Sequence, residues 1–194
     1  KDTIMKPTDS IIYYKHMLQT GMMAMEPRSG HIKAWVGGVN YKYFQYDHVG
    51  QGARQVGSTF KPFLYATAIE QLGMSPCDSI IDSYFTMPKG KWGIDADWSP
   101  KNSDGNYRGT ITLQKALANS INTVSAKLID RVGPKAVVDM AKELGVTSDI
   151  PEQPSIALGA VDITVEQMVG AMSTFANQGV YVKPTFIIKI EDKN

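Results

Sequence analysis

The segment from Ser58 to Leu72 constrains the fold more than any other, because Phe60, Leu64, Ala68 and Leu72 recur at helical spacing with Phe63 beside them. A stripe of that period has to be buried, so the rest of the chain must supply a core around it. Pro62 falls in the first turn, where the missing N–H costs little because first-turn donors lack intrahelical acceptors. Gly73 is placed to end the helix. The spacing therefore predicts a helix that starts near Ser58 and stops at Gly73.

Around that helix the pattern changes. Met22 to Met25, then Glu26-Pro27-Arg28-Ser29-Gly30, then His31 to Gly38 reads as strand, tight turn, strand. Asn40 to Gln55 mixes tyrosines, glycines and charges without a period and is expected to be a long connection shaping a surface. Met74 to Gly109, rich in proline, glycine, serine and aspartate, is expected to be irregular. Thr112 to Asn119, Asn122 to Val132 and Pro134 to Leu144 carry three short helical patterns, the last opened by Pro134 and closed by Gly145. Thr164 with Gln167 has the spacing of a capping box for a helix running to Asn177, closed by Gly179. A β-rich tail, Tyr181 to Ile190, is expected to rejoin the sheet begun by the hairpin. The expectation is a mixed α+β domain, an antiparallel sheet packed with helices plus a mainly helical subdomain. The sheet portion is placed at about 20–57 and 180–190, and the helical portion at about 58–179.

Composition narrows the chemistry. With 194 residues, 43% of them hydrophobic and 20% charged, there is apolar material for one globular domain. A formal net charge of +1 gives no basic field for nucleic acid, and none is expected as a partner. The single cysteine, Cys77, permits no intrachain disulfide, and His16, His31 and His48 are scattered, so neither a metal site nor a cofactor is expected. Cys77 lacks a basic neighbour that would lower its pKa and is given no role. No apolar run approaches the ~20 residues that span a bilayer, and no charged-then-apolar leader opens the chain. A soluble piece, with any membrane anchor outside it, is the expectation.

Two short motifs stand out. In Gly57-Ser58-Thr59-Phe60-Lys61 a serine and a lysine lie three apart at a helix start, on one helical face, where hydroxyl and amine could touch. A serine hydroxyl needs a base within hydrogen-bond reach, and a lysine serves only when desolvation or a nearby cation lowers its pKa. Phe60, Pro62 and Phe63 supply apolar cover. The helix N-terminus favours developing negative charge, and the Ser58 N–H could donate to an oxyanion. By itself the pair reads first as an N-cap serine and a solvated lysine. The second motif, Ser120-Ile121-Asn122, sits in a break between two helical segments, so a hydroxyl and a carboxamide can point the same way. Ser120 could relay a proton between Lys61 and a leaving amine, and Asn122 could hold a substrate amide. Alone, it too is matched by an N-cap serine and a turn asparagine.

Taken together, Ser58-x-x-Lys61 followed by Ser120-x-Asn122 resembles the first two signatures of the penicillin-binding proteins and serine β-lactamases. The resemblance extends through Arg54 to Phe63, Pro27-Arg28-Ser29-Gly30 leading to Val36-Gly37-Gly38, Trp98-Ser99-Pro100-Lys101-Asn102, Ala157-Leu158-Gly159 and Phe175 to Gly179. These look like the transpeptidase domain of bifunctional, class A penicillin-binding proteins, and they cover nearly the whole chain. Two departures stand out. Val56 occupies a position that is usually proline, which alters loop stiffness but removes no chemical group. The third signature, lysine-threonine or serine-glycine on an edge strand, does not occur after Asn122. That strand binds the substrate carboxylate in the family and supplies the second oxyanion N–H. The expectation is a chain, 1–194, truncated before it and feebly active or inactive by itself.

The resemblance implies a β-lactamase/transpeptidase-like fold and a peptidoglycan D,D-transpeptidase. Ser58 would be the nucleophile, Lys61 its base and Ser120 the proton relay, with Asn122 binding substrate. It also implies stem peptides ending in D-Ala-D-Ala as substrates and β-lactams as trapping ligands. A membrane anchor and a glycosyltransferase domain would lie upstream, on the extracytoplasmic face of a bacterial membrane. A D,D-carboxypeptidase or β-lactamase, in which water deacylates the serine, shares both motifs. So does a β-lactam sensor or a non-catalytic scaffold.

Overall fold

The computed structural model describes residues 3–192, so the expected domain limits at 1 and 194 lie outside it. Helix α1 (Pro7–Lys15) opens the described chain and buries none of its side chains. The hairpin follows as read: β1 (Met22–Met25) pairs antiparallel with β2 (Ile32–Val36), Met23 opposite Trp35 and Ala24 opposite Ala34. The connection from Asn40 folds back on β2. Trp35 Nε1 donates to Asp47 Oδ2 at 3.1 Å, and the chain then reaches β3 (Arg54–Gln55).

The Ser58–Leu72 pattern folds in two pieces. Gly57–Phe60 forms a 3-10 turn, and α2 (Lys61–Leu72) continues it with Pro62 in its first turn and Gly73 as a left-handed cap at φ 61°. Phe60, Phe63, Leu64 and Ala68 are fully buried as the period requires, while Leu72, the last of the stripe, is 37% exposed at the helix end.

Beyond Gly73 the structure corrects one expectation. The stretch expected to be irregular contains β4 (Ser79–Asp82), which pairs antiparallel with β5 (Gly109–Thr112), Ile80 opposite Ile111 and Asp82 opposite Gly109. Four residues with acidic and serine ends give too short a period to stand out from turn-rich surroundings, and a partner some thirty residues away supplies the ladder. Helices α3 (Leu113–Ala118), α4 (Asn122–Val132) and α5 (Pro134–Glu143) then follow the three predicted patterns within two residues. Along α4, Val124, Leu128 and Ile129 are fully buried, and they meet Val137 and Val138 of α5 and Ile156 and Ala157 of a 3-10 turn at Pro154–Leu158. This cluster around α2 is the core of the domain.

The chain returns through β6 (Asp162–Ile163), antiparallel to β3, into α6 (Val165–Ala176), whose side packs on β1. The capping box forms only by half. Thr164 Oγ1 accepts from the Gln167 N–H at 3.3 Å, but the Gln167 carboxamide turns outward to accept from the Thr147 and Ser148 N–H groups at 2.9 and 2.8 Å. A loop with unmet donors thus outcompetes the local cap.

The predicted strand at Tyr181–Ile190 is the second correction. The tail meets the hairpin at a single parallel bridge, His31 with Thr185, and forms no ladder among the described residues. Phe186, Ile187 and Ile188 are consecutive apolar residues that need cover on both faces, and all three are more than half exposed.

Candidate active site

Ser58 stands on the 3-10 turn between two anchors. Behind it runs α2. Before it, Val56 N donates to Val161 O at 3.0 Å and Gly57 N to Gly159 O at 3.1 Å, which ties the turn to the segment after Leu158. The approach is too close for any side chain. A Cβ on Gly159, itself at φ 74°, would lie 1.8 Å from the Gly57 carbonyl oxygen. The Ala157-Leu158-Gly159 motif is therefore a backbone seat for the serine turn. Ser58 itself is exposed, and neither its hydroxyl nor its N–H takes a partner among the described residues.

Lys61 lies one 3-10 turn on, where residues three apart eclipse one another. Its side chain is 1% exposed. The sequence allows its amine to touch Ser58, but the amine instead reaches across to the turn between α3 and α4. There Nζ donates to Ser120 O at 2.7 Å, Ser120 Oγ at 2.9 Å and Asn122 Oδ1 at 2.7 Å. Three acceptors satisfy the three donors of an ammonium. Burial nevertheless penalises the charge and lowers the Lys61 pKa to about 8. The amine can therefore lose its proton near neutral pH.

The turn that meets Lys61 is unusual in its backbone. α3 ends with Ser120 N donating to Leu117 O and Ile121 N to Ala116 O, both at 2.9 Å, and this pairing places Ser120 in the left-handed position that glycine usually fills. Ser120 holds φ 53° there. A serine in that region costs about 1–2 kcal/mol relative to ordinary backbone, and such strain collects at functional sites. The conformation turns both the carbonyl and the hydroxyl of Ser120 toward Lys61.

Asn122 opens α4, and its neighbour Ile121 has no side-chain cap to offer. The N–H groups of Asn122 and Thr123 are accepted instead by Asn102 Oδ1, at 3.0 and 3.2 Å, from the Trp98–Asn102 motif. Asn122 Nδ2 donates to Lys101 O at 2.9 Å. Trp98 itself packs against the core. Sequence reasoning placed Asn102 in a family motif and gave no place to Asp82, the buried carboxylate that holds it. A cap twenty residues from its helix leaves no local signal. Thus the structure brings Lys61, Ser120 and Asn122 into direct contact, with Ser58 on the adjoining turn and outside their hydrogen bonds.

Residues 20–194 match the family profile described as penicillin binding protein transpeptidase domain. The chain belongs to the penicillin-binding protein transpeptidase family. Among curated penicillin-binding protein relatives, penicillin-binding protein 1A of Aquifex aeolicus (strain VF5) is 39% identical over 180 residues, which cover 91% of this chain and 24% of the relative. Penicillin-binding protein 1A of Neisseria flavescens is 37% identical over 177 residues, 91% of this chain and 22% of the relative. The chain thus spans about a quarter of these proteins. The crystal structure of penicillin-binding protein 1A from Haemophilus influenzae superposes with a TM-score of 0.83 at 30% identity, over 90% of this chain and 26% of that one. The PonA1 protein of Mycobacterium tuberculosis in complex with penicillin V gives a TM-score of 0.72 at 27% identity, over 91% of this chain and 49% of that one. This penicillin-binding transpeptidase domain has the mixed α+β fold of those structures.

Proposed function

We propose that this domain serves a peptidoglycan D,D-transpeptidase that works through an acyl-enzyme on Ser58. The observation that carries the reading is the buried amine of Lys61, lowered to about 8 and held by Ser120 and Asn122, one helical turn from an exposed serine at a helix start. Neutral Lys61 takes the Ser58 proton as Oγ attacks the carbonyl carbon of the penultimate D-alanine. The C–N bond then breaks, and the leaving D-alanine amine receives a proton through Ser120, whose hydroxyl can donate and accept at once. An amine from a second stem attacks the ester and restores Ser58. Asn122 holds the substrate backbone, and the free Ser58 N–H faces the developing oxyanion.

A β-lactam mimics the same carbonyl and traps Ser58. Among the described residues no helix is long and apolar enough to cross a membrane. The proposed setting is the extracytoplasmic face of a bacterial membrane, with anchor and glycosyltransferase domain elsewhere in the full-length protein. The test is labelling of that full-length protein with a fluorescent penicillin. Ser58→Ala should abolish the covalent adduct while leaving the melting temperature within a few degrees. An undiminished adduct would overturn the assignment. Cross-linking and D-alanine release from stem peptides then separate a transpeptidase from a β-lactam sensor, which would form the adduct without either.

A further inference from the structure

Asn122 is gripped at every point except the one that faces Lys61. Its N–H is taken by Asn102 and its Nδ2 by the carbonyl of Lys101, so the segment 101–102 holds both backbone and side chain. What remains free to aim is Oδ1, 2.7 Å from Lys61 Nζ. Asn102 is 6% exposed and uses its whole hydrogen-bonding capacity. Oδ1 accepts from the N–H groups of Asn122 and Thr123, and Nδ2 donates to Asp82 Oδ1 at 2.9 Å and to Asn106 O at 2.8 Å. A flipped amide would set donor against donor and acceptor against acceptor at all four contacts, so the orientation is fixed.

The anchor beneath it is a carboxylate 1% exposed. Asp82 accepts from Thr123 Oγ1 at 2.5 Å and from Arg108 N at 2.9 Å, with the Arg108 guanidinium 3.7 Å away. Burial by itself would raise this carboxyl, but Thr123, Asn102 and Arg108 together outweigh it and hold it below the usual carboxylate range. Asp82 belongs to β4, Asn102 to the following loop, Thr123 to α4. One charge therefore locks the loop, the strand and the start of α4 together.

We propose that Asn102, anchored by the buried Asp82 carboxylate, is a positioning residue that aims the Asn122 carboxamide at Lys61 and thereby sets the rate of Ser58 acylation. The inference rests on the transpeptidase reading above. Asn102 hydrogen-bonds to neither Ser58 nor Lys61, so it acts through Asn122 at the start of α4. A displacement of the order of 1 Å at a reacting group costs about 100-fold in rate, which is the scale on which a lost positioning contact acts.

The test uses the full-length protein and a chromogenic β-lactam, with the dissociation constant for the first encounter separated from the acylation rate constant. Asn102→Ala should lower the rate constant about 10- to 100-fold while the dissociation constant stays within about threefold. Asn102→Asp, which sets two carboxylates together, should be slower still. Adding Asp82→Asn to it restores one charge and one amide to the pair and should recover about tenfold or more. Folded Asn102→Ala protein with the parent rate constant, or a double variant no faster than Asn102→Asp, would overturn the proposal. Should Asn102→Ala not fold, the comparison of the double variant with Asn102→Asp decides. Retention of label by Ser58→Ala would sink the transpeptidase reading instead. In that case the NMR titration of the Lys61 side chain, displaced in the double variant's single parents and restored in the double, still tests the positioning role, and an unmoved titration refutes it.

Discussion

The helical half of this domain and its hairpin half are held by very different amounts of burial. From Phe60 onward the buried apolar side chains, Ala126 apart, form one continuous cluster, whereas among the described residues before it the only buried hydrophobic side chains are Met23 and Val49. The β1–β2 hairpin leans on α6 but leaves Met22 and Val36 about half exposed. Every side chain that holds the Lys61 amine or its supports comes from the well-buried half: Ser120, Asn122, Asn102, Asp82. A polar constellation can keep its geometry only where packing fixes the backbones that carry it. Ser58 sits at the seam, pinned on one side by α2 and on the other by the Gly159 seat.

Emptying the core is the strongest way to break this contrast. Phe63 is fully buried, with ring centroids 5.0 Å from Phe60 and 6.0 Å from Phe175. Phe63→Ala should cost about 3–5 kcal/mol in denaturant unfolding of the full-length protein's transpeptidase domain. A loss below about 1 kcal/mol would mean that this half does not carry the site.

The next effect is on rate. Because Lys61 must be neutral to act as base and its pKa is lowered to about 8, the acylation rate constant should rise about tenfold per pH unit below that value and level off above it. A flat profile would remove Lys61 from that role. The same burial has a stability consequence of known sign. Below about 8 the amine is charged in both folded and unfolded chains. Between there and the ordinary lysine value of 10.5 the folded chain binds fewer protons, so this group's contribution to stability grows with pH across that window.

Smaller, and opposite in sign for the two properties, is the effect expected at the strained turn. Ser120→Gly relieves a left-handed serine at φ 53° and should raise stability by about 1 kcal/mol in thermal melts, yet slow acylation through loss of the hydroxyl beside Lys61. Faster acylation by this variant would show that the hydroxyl is dispensable. Smallest of all, Val36→Ala on the exposed side of β2 should change unfolding free energy by no more than about 0.5 kcal/mol. A larger loss would erase the difference between the halves.

Much of this is legible in the sequence. The buried face of α2, the three helices after Thr112 and the hairpin follow from period, caps and turn signals, and the four motif residues from their spacing together with the family resemblance. The short β4–β5 ladder is not, because its pairing partner lies far along the chain. The tail departs from its pattern for the opposite reason: its residues favour a strand, but a ladder also needs a neighbouring edge and covered faces. At the site, sequence predicted which side chains share a helical face but not where a long lysine would send its amine.

Sequence alone determined the local frame: a helix begun at Ser58, Lys61 one turn on, and a break at Ser120-Ile121-Asn122. Tertiary structure decided the rest. It tied the Lys61 amine by hydrogen bonds to that break, put Ser120 where glycine is customary, and gave α4 its cap from Asn102 on a buried Asp82. The physical reason is range. Periodicity and capping are settled within one or two turns, whereas these hydrogen bonds join residues 20 to 61 positions apart and exist only once the core has brought their backbones together.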